Sequence, residues 1–176
     1  DIILAVVDTG VLLNHPDLQG QFVQGYDFIR NAASARDGDG IDSNPDDVGD
    51  GDGSSEPSSF HGTHVAGIIA AATNNNIDTE TNTATGVAGV AWNVKIMPLR
   101  ALGSNDGTQY DIEQAIRYAA GLENDAEDPA ATANRVNNGL VADVINLSLG
   151  GPLYDTDSPQ LFYDVRDAGV IVVAAA

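Results

Sequence analysis

Two of the residues that can move a proton stand out because each sits at the end of a regular element. Asp8 closes the apolar run Ile2-Ile3-Leu4-Ala5-Val6-Val7, and His61 opens the stretch His61-Gly62-Thr63-His64-Val65-Ala66-Gly67. An imidazole titrates near neutrality, so it can take a proton from a hydroxyl at pH 7. A carboxylate beside it would hold one tautomer and stabilise the imidazolium that forms. Either residue alone reads more simply as a turn aspartate or a structural histidine. Together they make two-thirds of a nucleophilic hydrolase. The remaining third, a serine in a suitable turn, is absent from these residues. Ser148, in Asn146-Leu147-Ser148-Leu149-Gly150, lacks the first glycine of a G-x-S-x-G elbow.

The elements that must position this pair follow from hydrophobic periodicity. Ile2–Val7 is uninterrupted and apolar, the pattern of a strand covered on both faces of a parallel sheet. Val65, Ile68, Ile69 and Ala72 recur at helical spacing over 62–72, placing His61 just before a helix on which Gly62 and Gly67 permit close packing. Strands are expected at Val94–Leu99, Val144–Leu149 and Val170–Ala174. Helices are expected at Asp111–Leu122 and at Leu161–Ala168, the latter closed by Gly169. Strands alternating with helices predict an α/β fold with a parallel sheet, and such sheets gather functional groups at the carboxyl ends of strands. Two segments break the order: the acidic loop 37–53 and the polar insertion 123–142.

Val7-Asp8-Thr9-Gly10-Val11, followed by His15-Pro16-Asp17-Leu18, resembles the aspartate motif of the subtilisin-like serine proteases, and His61–Gly67 resembles their histidine motif. Gly86–Ala91 leading into Lys95–Leu102, Val144–Gly151 and Val170–Ala176 are similar to core segments of the same family, so the likeness runs nearly the whole chain. The resemblance implies a three-layer, doubly wound, mostly parallel sheet, incomplete at its C-terminal side. It makes 1–176 the amino-terminal and central part of one catalytic domain, since neither the family's Gly-Asn after the Ala-rich strand nor its Gly-Thr-Ser nucleophile motif occurs here. Carried over residue by residue, it makes Asp8 the orienting acid and His61 the general base. Asp106, Gly107 and Thr108 on one side and Ser148, Leu149 and Gly150 on the other become the edges between which a peptide lies extended, with Tyr110 and Leu149 lining side-chain pockets. Backbone pairing of that kind tolerates varied sequences. The implied whole is a secreted, monomeric serine endopeptidase acting on proteins, and a fragment inactive by itself. The alternative is a subtilase-like module without catalysis.

Seven aspartates crowd the acidic loop: Asp37, Asp39, Asp42, Asp46, Asp47, Asp50 and Asp52. Alternating Asp-Gly steps suit calcium, which takes six to eight oxygens in flexible geometry; Asp37, Asp39, Asp42, Asp46 and Asp50 are the expected ligands, although no Glu closes an EF-hand. The resemblance supplies a second calcium candidate, Asp17 with Asn74, Asn76 and Asp78, blurred by the extra residues Thr79–Thr85. A zinc reading, with His61, His64 and either His15 or an aspartate, leaves the other motifs to coincidence; His64 is expected to bond within the core.

Composition sets outer limits. With 26 acidic against 7 basic side chains the formal charge is −19, which argues against nucleic acid and anionic membranes as partners. There is no cysteine, so disulfide and thiol chemistry are excluded. No apolar run approaches the roughly 20 residues of a membrane span.

Overall fold

A computed structural model describes residues 1–51, 57–73, 75–78, 80, 83–104, 107–126, 139–151 and 158–175. Its strands are β1 (Ile2–Asp8), β2 (Tyr26–Asp27), β3 (Asn76–Asp78), β4 (Thr83–Thr85), β5 (Val94–Arg100), β6 (Val144–Leu147) and β7 (Ile171–Ala174). The helices are α1 (Ala32–Ala35), α2 (His61–Ala70), α3 (Gln109–Ala119) and α4 (Ser158–Asp167), with a 3-10 turn at Pro16–Leu18. Five strands form one parallel sheet in the order β2-β5-β1-β6-β7, while β3 and β4 make a separate antiparallel hairpin.

β1 lies at the centre, and its side chains alternate between the two faces. Ala5 and Val7 join the core built with Met97, Leu99, Ala115, Ile116, Leu161 and Val165, which covers one face with α3 and α4. Val6 points the other way, into a smaller core with Leu18, Ala66, Ala70 and Ile96, which covers the second face with α2 and the 3-10 turn. The result is helix, sheet and helix in three layers, the expected α/β fold. The same alternation has a consequence for the site. Asp8 shares the parity of Val6, so its carboxylate emerges on the face that α2 covers.

Element ends shift from their expected positions for local reasons. α2 starts at His61 itself instead of after it. α3 starts two residues early because Thr108 caps it, accepting from Asp111 N at 3.1 Å, and it stops at Ala119. β5 continues to Arg100, in register with Asp8, whereas β6 ends at Leu147. The acidic loop is not featureless, since Asp42 bridges Asp27 and Asp46 bridges Val11. Of the insertion, residues 127–138 lie outside the described part.

Candidate active site

Asp8 is fully buried, and its carboxylate has two kinds of donor around it. Thr9 N–H donates to Oδ1 at 2.8 Å. His61 Nδ1 lies 2.8 Å from Oδ1 and 2.9 Å from Oδ2. A carboxylate against Nδ1 places the proton on that nitrogen, which leaves Nε2 unprotonated in the neutral ring. The imidazole is 44 % exposed, so Nε2 remains reachable. Burial pushes the Asp8 carboxyl up, and its bonds from His61 and Thr9 offset only part of that rise.

The backbone makes this meeting possible at Gly62. A Cβ there would lie 2.2 Å from Gly10 O and 3.0 Å from Asp8 Cβ, so only glycine lets the first turn of α2 approach the end of β1 this closely. Gly67 plays no such part, because nothing lies within 4 Å of the place its Cβ would occupy. Hydroxyls stitch the two segments together. Thr9 Oγ1 accepts from Gly62 N at 3.0 Å, and Thr63 Oγ1 accepts from Leu12 N at 2.8 Å. Phe60, just before the histidine, holds a left-handed backbone (φ 48°) that few non-glycine residues adopt.

Asp8 O accepts from Ala101 N at 2.9 Å and Leu102 N at 3.1 Å, tying the segment after β5 to the acid. β5 and β6 flank β1, so residues 101–104 and 148–150 leave the sheet on either side of Asp8 at the same end. Gly107 packs against Leu102 and Ala101, where a Cβ would come within 2.4 Å of Leu102 Cδ2. Thr108 caps α3. Asp106 lies outside the described residues. Ser148 Oγ accepts from Asn146 Nδ2 at 2.9 Å, Leu149 is half-buried against the α3 core, and Gly150 is exposed. Tyr110 is exposed but held: its hydroxyl donates to Asp125 at 2.8 Å, and the Arg30 guanidinium sits 3.9 Å from its ring centroid. Arg30 also pairs with Asp125.

The acidic side chains are mostly engaged with the protein. Asp37 pairs with Arg100 at 2.5 Å, Asp42 accepts from Asn44 N at 2.7 Å, and Asp46 accepts from Leu13 N at 3.0 Å. Asp50 accepts from Ser59 N and Ser59 Oγ, both at 2.6 Å. Burial would raise Asp50, but the Ser59 bonds outweigh it and hold the carboxyl low. Asp39 is exposed. Asp17 is buried and accepts from Val87 N at 3.1 Å, and a Cβ on Gly86 would fall 2.4 Å from its Oδ1. Asn75 Nδ2 donates to Pro16 O at 2.6 Å, drawing the hairpin region toward Asp17. Asn74 is outside the described residues; for Asn76 and Asp78 only the backbone, in β3, is described.

One expectation is corrected here. His64 is exposed on α2 and does not bond within the core. Its position follows from the helix: residues 62, 63 and 66 face inward, which turns 64 and 68 out. The zinc grouping has no geometry either, for among the described residues no three His, Cys, Asp or Glu side chains gather closely enough to hold a metal. Sequence reasoning missed Thr9, Asp47, Asp27 and Arg100. Arg100 is 1 % exposed and bonds Asp27 at 2.6 Å, Asp37 and Ala35 O. An arginine ending an apolar strand, opposite an aspartate, was the signal available.

Residues 1–176 match the model of Peptidase_S8, the subtilase family. An extracellular protease of Xanthomonas campestris pv. campestris is 44 % identical over 157 residues, covering 85 % of this chain and 24 % of the relative. An extracellular basic protease of Dichelobacter nodosus is 39 % identical over 188 residues, covering 99 % of this chain and 28 % of the relative. A solved protease of Pseudoalteromonas arctica superposes with a TM-score of 0.79 at 38 % identity, covering 99 % of this chain and 49 % of that one. The chain thus spans about half or less of the lengths of these relatives. No helix among the described residues is long and apolar enough to cross a membrane. With a parallel sheet that delivers Asp8 to His61 and a family match over its full length, the chain belongs to the subtilase family.

Proposed function

We propose that this chain is the acid-and-base portion of a secreted serine endopeptidase that cleaves proteins as a monomer. His61 Nε2 takes the proton of a serine hydroxyl and later returns it to the leaving amine, while Asp8 holds Nδ1–H and stabilises the imidazolium. The observation that carries this reading is the carboxylate of Asp8 lying within 2.9 Å of Nδ1 through both oxygens. A bound peptide would lie extended between Asp106–Thr108 and Ser148–Gly150, pairing by backbone, with Tyr110 and Leu149 at its side chains. The serine is not among these 176 residues, so on their own they should not turn over. Secretion is supported by the two relatives named as extracellular proteases.

Calcium is part of the proposal as a structural ion. Asp17 fits it best, being a buried carboxylate facing a close-approaching backbone at Gly86, with Asn74, Asn76 and Asp78 as the further donors. The acidic-loop set Asp37, Asp39, Asp42, Asp46 and Asp50 is the second candidate and fits less well, since among the described residues no three of its carboxylates gather closely enough to hold an ion. Bound calcium would neutralise carboxylates and pin the loop, and it takes no part in the proton transfers. Calorimetric titration of the intact protein should show calcium uptake, and chelator should lower its melting temperature. Absence of both removes the ion from the account.

The activity is tested with a fluorophosphonate probe on the intact protein. Stoichiometric labelling that His61→Ala abolishes is expected. A protein that neither reacts nor hydrolyses peptides would be the non-catalytic alternative instead.

A further inference from the structure

Among the described acidic-loop aspartates, Asp47 is the one bonded to Thr9, the residue whose backbone N–H also holds Asp8. It is 2 % exposed. Its Oδ2 accepts from Thr9 Oγ1 at 2.7 Å, and its Oδ1 accepts from Gly49 N at 2.9 Å. Its own N–H donates to Val11 O at 2.9 Å, and Val11 N donates to Pro45 O at 3.1 Å, so it is anchored to the segment that follows β1. Thr9 is the link onward. Its backbone N–H holds Asp8 Oδ1, and its hydroxyl accepts from Gly62 N, the residue after His61.

A hydroxyl has one proton to give. Because Thr9 gives its proton to Asp47, a lone pair is left facing Gly62 N–H. Without an acceptor at Asp47 the hydroxyl is free to rotate, and the first turn of α2 loses the bond that registers it against β1. We propose that Asp47 is a positioning residue for the Asp8–His61 pair, acting through the Thr9 hydroxyl. This rests on reading that pair as orienting acid and general base. The site demands a carboxylate in particular. An asparagine of the same shape must turn its NH2 either toward Gly49 N–H, setting donor against donor, or toward the Thr9 hydroxyl, which then accepts and loses the partner that took its proton.

In the intact protease, Asp47→Asn and Thr9→Val read the link from its two sides. Each is expected to lower kcat on a short peptide by about 10- to 100-fold, the scale of losing an outer partner of a catalytic group. KM should stay within about twofold, and the double variant should be no slower than the slower single one. Proton NMR of the same proteins reads the His61 Nδ1–H resonance without requiring turnover. A downfield line in the wild type that moves upfield or broadens in both variants supports the link. An unchanged kcat and an unchanged line in Asp47→Asn overturn it, as do losses that add in the double variant or that only track the folded fraction. A wild type without peptidase activity, but with the NMR line responding as described, defeats the peptidase reading and leaves the positioning role standing.

Discussion

Phe60 and Gly62 bracket His61, and both carry conformational demands that a substitution can expose. At an ordinary helical position alanine is more stable than glycine by roughly 1 kcal/mol. At Phe60 the left-handed backbone should reverse that order, with Phe60→Gly more stable than Phe60→Ala by about 1 kcal/mol in denaturant titrations. Gly62→Ala is the converse case. Its methyl would meet Gly10 O, so α2 must back away from β1 and carry the imidazole off Asp8. We expect kcat of the intact enzyme to fall by about two orders of magnitude, the scale of a 1 Å misplacement. Turnover equal to wild type would show that the close approach does not matter to the site.

Among the elements, the acidic loop is fastened to the ends of two neighbouring strands, β5 and β1. Arg100 holds Asp37 at its start, and Thr9 holds Asp47 further along. Arg100→Met would leave Asp27 and Asp37 without their buried partner, and the loss should be about 3–5 kcal/mol of unfolding free energy. A loss under about 1 kcal/mol would mean the pair is not buried as described. β1, β5, β6, β7, α2, α3 and α4 were legible in the sequence, the strands as uninterrupted apolar runs and the helices through their 3.6 period, and Asp8 and His61 stood out as proton-moving groups at element ends. β2, α1 and the 3-10 turn were not, since two to four residues are too few to establish a period. Arg100, Asp27 and Asp47 were hidden for a different reason. A buried polar residue is identified by its partner, and Arg100 and Asp27 lie far apart in sequence. Asp47 was also masked by its neighbours, because in a run of seven aspartates nothing marks the one whose acceptor faces inward. Likewise, only the turn of α2 shows that His64 faces out.

For the molecule as a whole, charge and burial act in the same direction with pH. Burial pushes Asp27 up to about 7 against the pull of Arg100, and it raises Asp8, Asp42, Asp47 and Asp111 as well. A carboxyl whose folded-state pKa is raised keeps its proton in the native state where the unfolded chain has lost it. For Asp27 its contribution is therefore full below the ordinary carboxyl value of 3.8 and is lost as pH rises through about 7. Asp50, held low, has the opposite sign. Repulsion within a chain of formal charge −19 also grows as carboxyls ionise. The melting temperature at low salt is expected to fall from about pH 5 to about pH 8, and to recover in part with added sodium chloride through screening. Asp27→Asn should flatten the slope. A melting temperature that rises steadily over that range would contradict the burial of these groups.

The central claim is that Asp8 exists to hold His61 as a base, and an isosteric change at the acid tests it most directly. Asp8→Asn keeps the shape but turns a donor or a weaker acceptor toward Nδ1, favouring the wrong tautomer. Steady-state kinetics of the intact protein on a peptide substrate should show kcat reduced by about 10⁴-fold, the scale measured for that substitution in a Ser-His-Asp triad, with KM little changed. Peptide hydrolysis by Asp8→Asn within about tenfold of wild type would contradict the account.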